Sequence, residues 1–218
     1  MDYRLIRSRR KTTTISVQRD GAVVVRAPYK YPVEKIERFL EEKEAWIRMH
    51  QQRFAAARIE KPTEQLDGYR LLLLGEYYEI RLCEVKAVVA DETLKTIFVP
   101  SENSEQRLVA WLKEKARSVF TAALQARAKQ MNAPFRSFRL SSARTRWGSC
   151  SAKNDIRLCF RLIFAPWDVI DYVVVHELAH CFVKNHSPAY WARVASVLPS
   201  HKEKRKWLKD RPALMSIF

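Results

Sequence analysis

The apolar runs of this sequence are short. Stretches such as residues 71–74 and 173–175 hold only a few residues, where a membrane-spanning helix needs about 20. The opening MDYRLIRSRRKTTT carries charge but no apolar segment of a secretory signal. The four cysteines, Cys83, Cys150, Cys159 and Cys181, form no CxxC pair. That pattern reads as reduced thiols in a cytoplasmic protein with no membrane partner. No internal repeat and no low-complexity segment is visible. Acidic residues are the minority, 24 against 40 Lys and Arg, which leaves a net charge of +16. Such an excess favours an anionic partner, a nucleotide or nucleic acid or an acidic protein surface, or it is simply a soluble basic surface. Histidine is scarce too: there are five, and three of them lie between residues 176 and 186.

With 218 residues and 47% hydrophobic content, the chain can bury a substantial core. Residues 3–8 and 12–17 read as short strands, and Asp20-Gly21 as the turn into a partner strand over 22–27. Apolar residues Val33, Ile36, Phe39, Leu40, Trp46, Ile47 and Phe54 predict one helix over 33–58, with its aromatics in the core. A connector spans 61–68. Strands over 69–74, 77–84, 87–90 and 96–99 read as an antiparallel meander. A helix follows over about 106–131, capped by Ser101 or Ser104, packing Leu108, Leu112, Phe120 and Leu124 inward and presenting its basic residues outward. Asn132-Ala133-Pro134 stops it. Residues 138–140 and 156–163 read as strands on either side of the polar, basic segment 144–151. Pro166 opens another helix, with Asp168 facing its positive end. Helices from Pro188 to about Leu198 and around Trp207-Leu208 complete the chain. The expected class is α+β: a β-rich region with one long helix over residues 1–100, then a second region over 101–218.

In that second region His176, Glu177 and His180 spell H-E-x-x-H. On a helix His176 and His180 share one face, a spacing suited to two ligands of one tetrahedral ion. Glu177 points about 100° away from His176, free of the metal but near enough to water on it to act as general base. His186 is the favoured third ligand. Residues 181–185 let the chain turn back, Asn185 tolerates a left-handed conformation, and Ser187-Pro188 starts a new helix. Glu203, the only glutamate after the motif, is the alternative ligand. Three histidines leave a fourth position open, as in a catalytic rather than a structural Zn2+ site; manganese or iron suits the same ligands. The bland alternative is a pair of hydrogen-bonded core histidines. Unpaired imidazoles and a carboxylate on a helix as apolar as 169–175 would cost several kcal/mol, a cost that a metal removes. Cys181, beside a ligand, reads as packing.

The series Arg146-Trp147-Gly148-Ser149-Cys150, Ala165-Pro166, Tyr172 to His180, Asn185-His186-Ser187 and Trp191 resembles the YgjP-like and SprT-like zinc metallopeptidase families, YgjP-like more closely. The resemblance implies zinc on His176, His180 and His186 with Glu177 as base. It also implies a zincin-like fold: the HExxH active-site helix, a backing helix and a small mixed sheet whose edge lies beside the cleft. Val183 stands where metzincins have glycine, and no methionine follows His186 closely, so the chain is not placed among them.

Arg146, Arg161 and Tyr190 are candidates for holding substrate and its developing oxyanion, each with an ordinary structural reading as surface charge or buried aromatic. The expected function is hydrolysis of a polypeptide substrate, backbone-paired along residues 156–163 as an edge strand. One alternative is a metal-dependent nucleotide pyrophosphatase or phosphohydrolase, with the arginines at 136, 139, 144, 146, 157 and 161 holding phosphates. Others are a nucleic-acid-associated SprT-like protease and a non-catalytic zinc-binding module; an intact Glu177 argues against the last.

Overall fold

The computed structural model describes residues 2–18, 21–56 and 66–218, without the side chains of 53–56. Asp20, the side chain of Phe54, the expected helix end past Ala56 and most of the 61–68 connector lie outside the described residues. The chain forms two compact units, Met1–Ile59 and Glu60–Phe218. The division expected at residue 100 therefore runs through the second unit.

In the first unit, β1 (Arg4–Ser8), β2 (Thr14–Val17) and β3 (Val23–Pro28) form a sheet in the order β1-β3-β2, with β1 parallel and β2 antiparallel to β3. Two helices follow, α1 (Val33–Glu42) and α2 (Glu44–Ala56), where one was expected. Lys43 leaves the helical range at φ −103°, ψ 7° and divides them. Ile36, Leu40 and Ile47 are buried with Val23, Val25 and Ala27. Trp46 points outward at 39% exposure and lies against His50 instead of joining this core. The break shifts the helical phase, so the apolar stripe read across 33–54 does not stay on one face.

The second unit begins with a four-stranded sheet of β4 (Arg70–Leu73), β5 (Glu76–Cys83), β6 (Val89–Asp91) and β7 (Thr96–Pro100), in the order β4-β5-β7-β6. It is not the expected meander, because β5 and β7 pair in parallel. The reason lies in the apolar content of the strands. Ile97 and Val99 are fully buried, which suits an inner strand, whereas β6 is three residues long with Val89 53% exposed, which suits an edge. The long helix α3 (Ser104–Met131) has left-handed asparagines at both caps, Asn103 (φ 52°) and Asn132 (φ 50°), rather than a serine at its start. Its face of Leu108, Leu112, Ala116, Phe120 and Leu124 is buried. Each such large side chain contributes about 1.5–3 kcal/mol relative to exposure.

A small mixed sheet follows: β8 (Ser137–Ser141), β9 (Gly148–Cys150) and β10 (Asp155–Cys159), in the order β8-β10-β9. β10 is parallel to β8 and antiparallel to β9, so it is the central strand and not an edge. Nor does it run to residue 163: Phe160–Phe164 turns into a 3-10 helix whose residues are all buried. Period-two alternation and a short buried helical turn are hard to tell apart in such an apolar run. The chain then enters α4 (Trp167–Ala179), α5 (Pro188–Val197) and α6 (His201–Asp210).

Candidate metal centre

α4 is packed by α3, α5, α6 and β9. Every residue from Val169 to Val175 is buried, Asp171 included, so the segment must be apolar around its whole circumference. Asp171 is held by Arg127 of α3, whose Nε donates to Oδ1 at 2.7 Å and whose Nη2 donates to Oδ2. The last turn of α4 carries His176, half-buried, and Glu177, buried, and His180 is the C-cap. The chain then turns through residues 181–187 and delivers His186 just before α5. Asn185 is not left-handed there; its Oδ1 accepts the Ser187 amide at 3.3 Å.

One ligand atom from each of His176, His180 and His186 lies within 4.8 Å of the others. Nε2 of His176 and Nε2 of His186 are 3.3 Å apart. Two ligands at about 2.0–2.1 Å on one tetrahedral ion stand about that far from each other. The Nδ1 of His180 is 3.0 Å from the Val183 carbonyl. Only an Nδ1–H can bond there, which leaves Nε2 a lone pair for a metal. Burial, then like charge from His180, His186 and Arg205, pushes His176 down to about 3, so its imidazole is neutral. Burial also lowers His180. The other ring nitrogen of His176, Nδ1, is buried without a partner among the described residues. These donors fit a divalent transition metal such as zinc. Glu203 is on α6 and outside the cluster.

The aromatic packing holds the imidazoles in place. Tyr190 is fully buried, its ring is stacked with His180 at 4.4 Å, and its hydroxyl donates to the His176 carbonyl at 3.0 Å. It forms a platform under the imidazoles, with its hydroxyl bonded to backbone. Trp191 stacks on His186 on one side and on His201 on another.

Glu177 is 4% exposed and sits against β9. A Cβ built on Gly148 would overlap its Oε1 and lie 2.8 Å from its Cδ. Only a glycine leaves room for the carboxylate there. Burial pushes this carboxyl up to about 8, against the opposing pull of Arg146. In the β9–β10 ladder, Cys159 N bonds Trp147 O and Ser151 N bonds Asp155 O. Ser149 pairs with Arg157 between them, so the backbone groups of Gly148 and Cys150 point away from β10, along the sheet edge.

A cavity of about 300 Å3 opens beside His176 and Glu177, walled by Trp147, Gly148, Tyr172, Val173 and the α6 residues Arg205, Leu208 and Lys209. Of the expected arginines, Arg146 alone acts on Glu177. Arg161 is 3% exposed and bonds the carbonyls of Ser142, Ile217 and Phe218. It lines a separate groove with Arg144. Arg136 is paired with Asp155. Arg139 and Arg157 are register partners in line with Ser149, on the opposite face of the sheet from Ile156 and Leu158. The six do not converge. Cys181 lies 4.0 Å from Cys150 (Sγ to Sγ), between the turn and β9. Gly148, Tyr172, Trp191, Arg205 and the Val183 carbonyl were not singled out as site groups from the sequence. Trp147-Gly148 stood in a recognised segment, and Arg205 and Lys209 are an i, i+4 pair; a backbone carbonyl leaves no signal.

Residues 11–211 match the family described as YgjP-like, metallopeptidase domain. The chain belongs to the YgjP-like family. The match takes in the three histidines, Glu177, β9 and α6, and a metallopeptidase domain is a hydrolase that acts on polypeptide. No curated protein and no solved structure matches the chain. No helix of this YgjP-like chain is long and apolar enough to cross a membrane, among the described residues.

Proposed function

We propose that the chain is a zinc-dependent peptidase, with His176, His180 and His186 as ligands and Glu177 as general base. The observation that carries this reading is the convergence of three imidazole nitrogens beside a buried carboxylate lodged against a glycine. Zinc supplies Lewis acidity there, making water a nucleophile near neutral pH and polarising a carbonyl. Glu177 takes the proton of the attacking water and returns it to the departing amine. The outward backbone groups of Gly148 and Cys150 pair with an extended substrate, a role that belongs to β9 and not to residues 156–163. Arg146 stands at the head of that strand as a substrate-orienting charge. The phosphohydrolase alternative has less support, since the arginines it needs are dispersed.

Elemental analysis and hydrolysis of an unfolded protein test the reading together. Wild type should carry about one zinc per chain. Alanine at His176, His180 or His186 should lose the metal, while Glu203→Ala should keep it. Glu177→Gln should stay loaded and lose turnover by several orders of magnitude. Loaded His176→Ala protein, or full turnover by Glu177→Gln, would overturn it.

A further inference from the structure

The helix α6 reads HKEKRKWLKD. Arg205 and Lys209 lie one turn apart on it, and both line the cavity of about 300 Å3 beside His176 and Glu177. The rest of the lining is Leu208 of the same helix, Trp147 and Gly148 at β9, and Tyr172, Val173, His176 and Glu177 of α4. The only acidic residue in the lining is Glu177 itself. Arg205 is held over the face of Trp191, 5.0 Å from the ring centroid, and Trp191 is stacked on His186. That contact fixes the guanidinium beside the metal cluster without neutralising it. Its neighbour Lys204 is instead paired with Asp168, and Arg205 forms no ion pair among the described residues.

We propose that this cavity is a subsite for an acidic side chain, Asp or Glu, next to the bond that is cut, recognised by Arg205 and Lys209. The proposal deepens the peptidase reading above and rests on it. A cavity at the small end of ligand pockets takes one side chain rather than a nucleotide. Arg205 offers a carboxylate a planar fork of donors, and Lys209 adds a second charge one turn away. A cationic side chain in the same place meets Arg205 and Lys209 and is excluded by repulsion as much as the acidic one is attracted. Both recognising groups are exposed, so the discrimination is moderate and sensitive to salt.

The test uses the zinc-loaded chain and a set of unstructured fluorogenic peptides that differ at one position, Glu, Gln or Lys, moved in turn through the residues flanking the cut. The ratio of kcat/KM for Glu over Lys should reach about tenfold at one flanking position and shrink as salt is raised. In Arg205→Glu the order should reverse, and Lys209→Glu, checked for full metal content, should move the ratio the same way. Binding gives a second readout. Glu177→Gln protein should hold a labelled Glu peptide about tenfold more tightly than its Lys counterpart by fluorescence anisotropy. Arg205→Glu in that background should reverse the order. Cleavage without charge preference, or a preference that neither α6 variant moves, overturns the subsite and leaves the peptidase reading standing. No cleavage of any peptide, with hydrolysis of a nucleoside triphosphate that depends on Glu177, overturns both.

Discussion

Gly148 sets how close Glu177 can come to the strand edge. A methyl group there would occupy the space of the carboxylate, so the side chain must swing away from β9, into the cavity beside it. The ligands come from α4 and the turn after it, so their geometry does not depend on this contact. Gly148→Ala should therefore keep about one metal per chain and lose about a hundredfold in kcat, the cost of misplacing a reacting group by about 1 Å. Metal loss in step with activity would show that the glycine acts on the ligands instead. At this scale the sequence was readable wherever chemistry and helical spacing coincide, which is why His176, Glu177 and His180 stood out. It was unreadable where the decisive fact is an absent side chain, as at Gly148, or a main-chain acceptor, as at Val183. Arg161 misled for a related reason: a guanidinium facing a phosphate and one buried on backbone carbonyls have the same letter.

Between elements, α4 is tied to α3 by a shared apolar core and by a partly buried bidentate pair, Arg127 with Asp171. Its side chains are 27% and 10% exposed, so removal of the acid leaves a guanidinium poorly solvated. Asp171→Ala should lower the free energy of unfolding by about 3 kcal/mol in denaturant titration. The other acid of α4, Asp168, pairs with Lys204 with 54% of its side chain exposed; its alanine variant should cost less than about 1 kcal/mol. Equal losses would mean that burial does not set the strength of these pairs. Neither partner was visible beforehand, because α3 reads as apolar inward and basic outward, and nothing local marks Arg127 as turning in. Elements with their own signals were legible: the apolar α4, the Pro188 start of α5, and the Asn132 stop of α3. Pairing between strands was not, since parallel β5–β7 and the central place of β10 depend on what each strand buries in three dimensions.

At the scale of the whole molecule, a net charge of +16 says little about which basic groups serve the site, since most arginines of the suspected cluster turn elsewhere. The buried pair His176 and Glu177 has a clearer global consequence in the metal-free chain. His176 titrates at 6.5 when unfolded and about 3 when folded. The unfolded chain therefore binds one more proton between those values, and stability falls as pH falls through that window. Glu177 goes the other way, from 4.5 unfolded to about 8 folded. The folded chain binds one more proton there, and stability falls as pH rises. Between 4.5 and 6.5 these two opposite linkages cancel, and His180, which burial also lowers, leaves a small net gain in stability as pH rises towards 6.5. Loss of the Arg136–Asp155 pair, whose carboxyl the Arg136 and Ser137 hydrogen bonds hold well below the usual range, adds to the fall at the acid end. With chelator present, the thermal midpoint should thus rise only gently from pH 4.5 to 6.5, fall more steeply below that range, and decline again towards pH 8. In Glu177→Gln the cancellation is gone. Its midpoint should climb through the whole range from about 3 to 6.5 and then hold level. A wild-type curve with the variant's shape would mean that the Glu177 carboxyl is already ionised in the folded, metal-free chain.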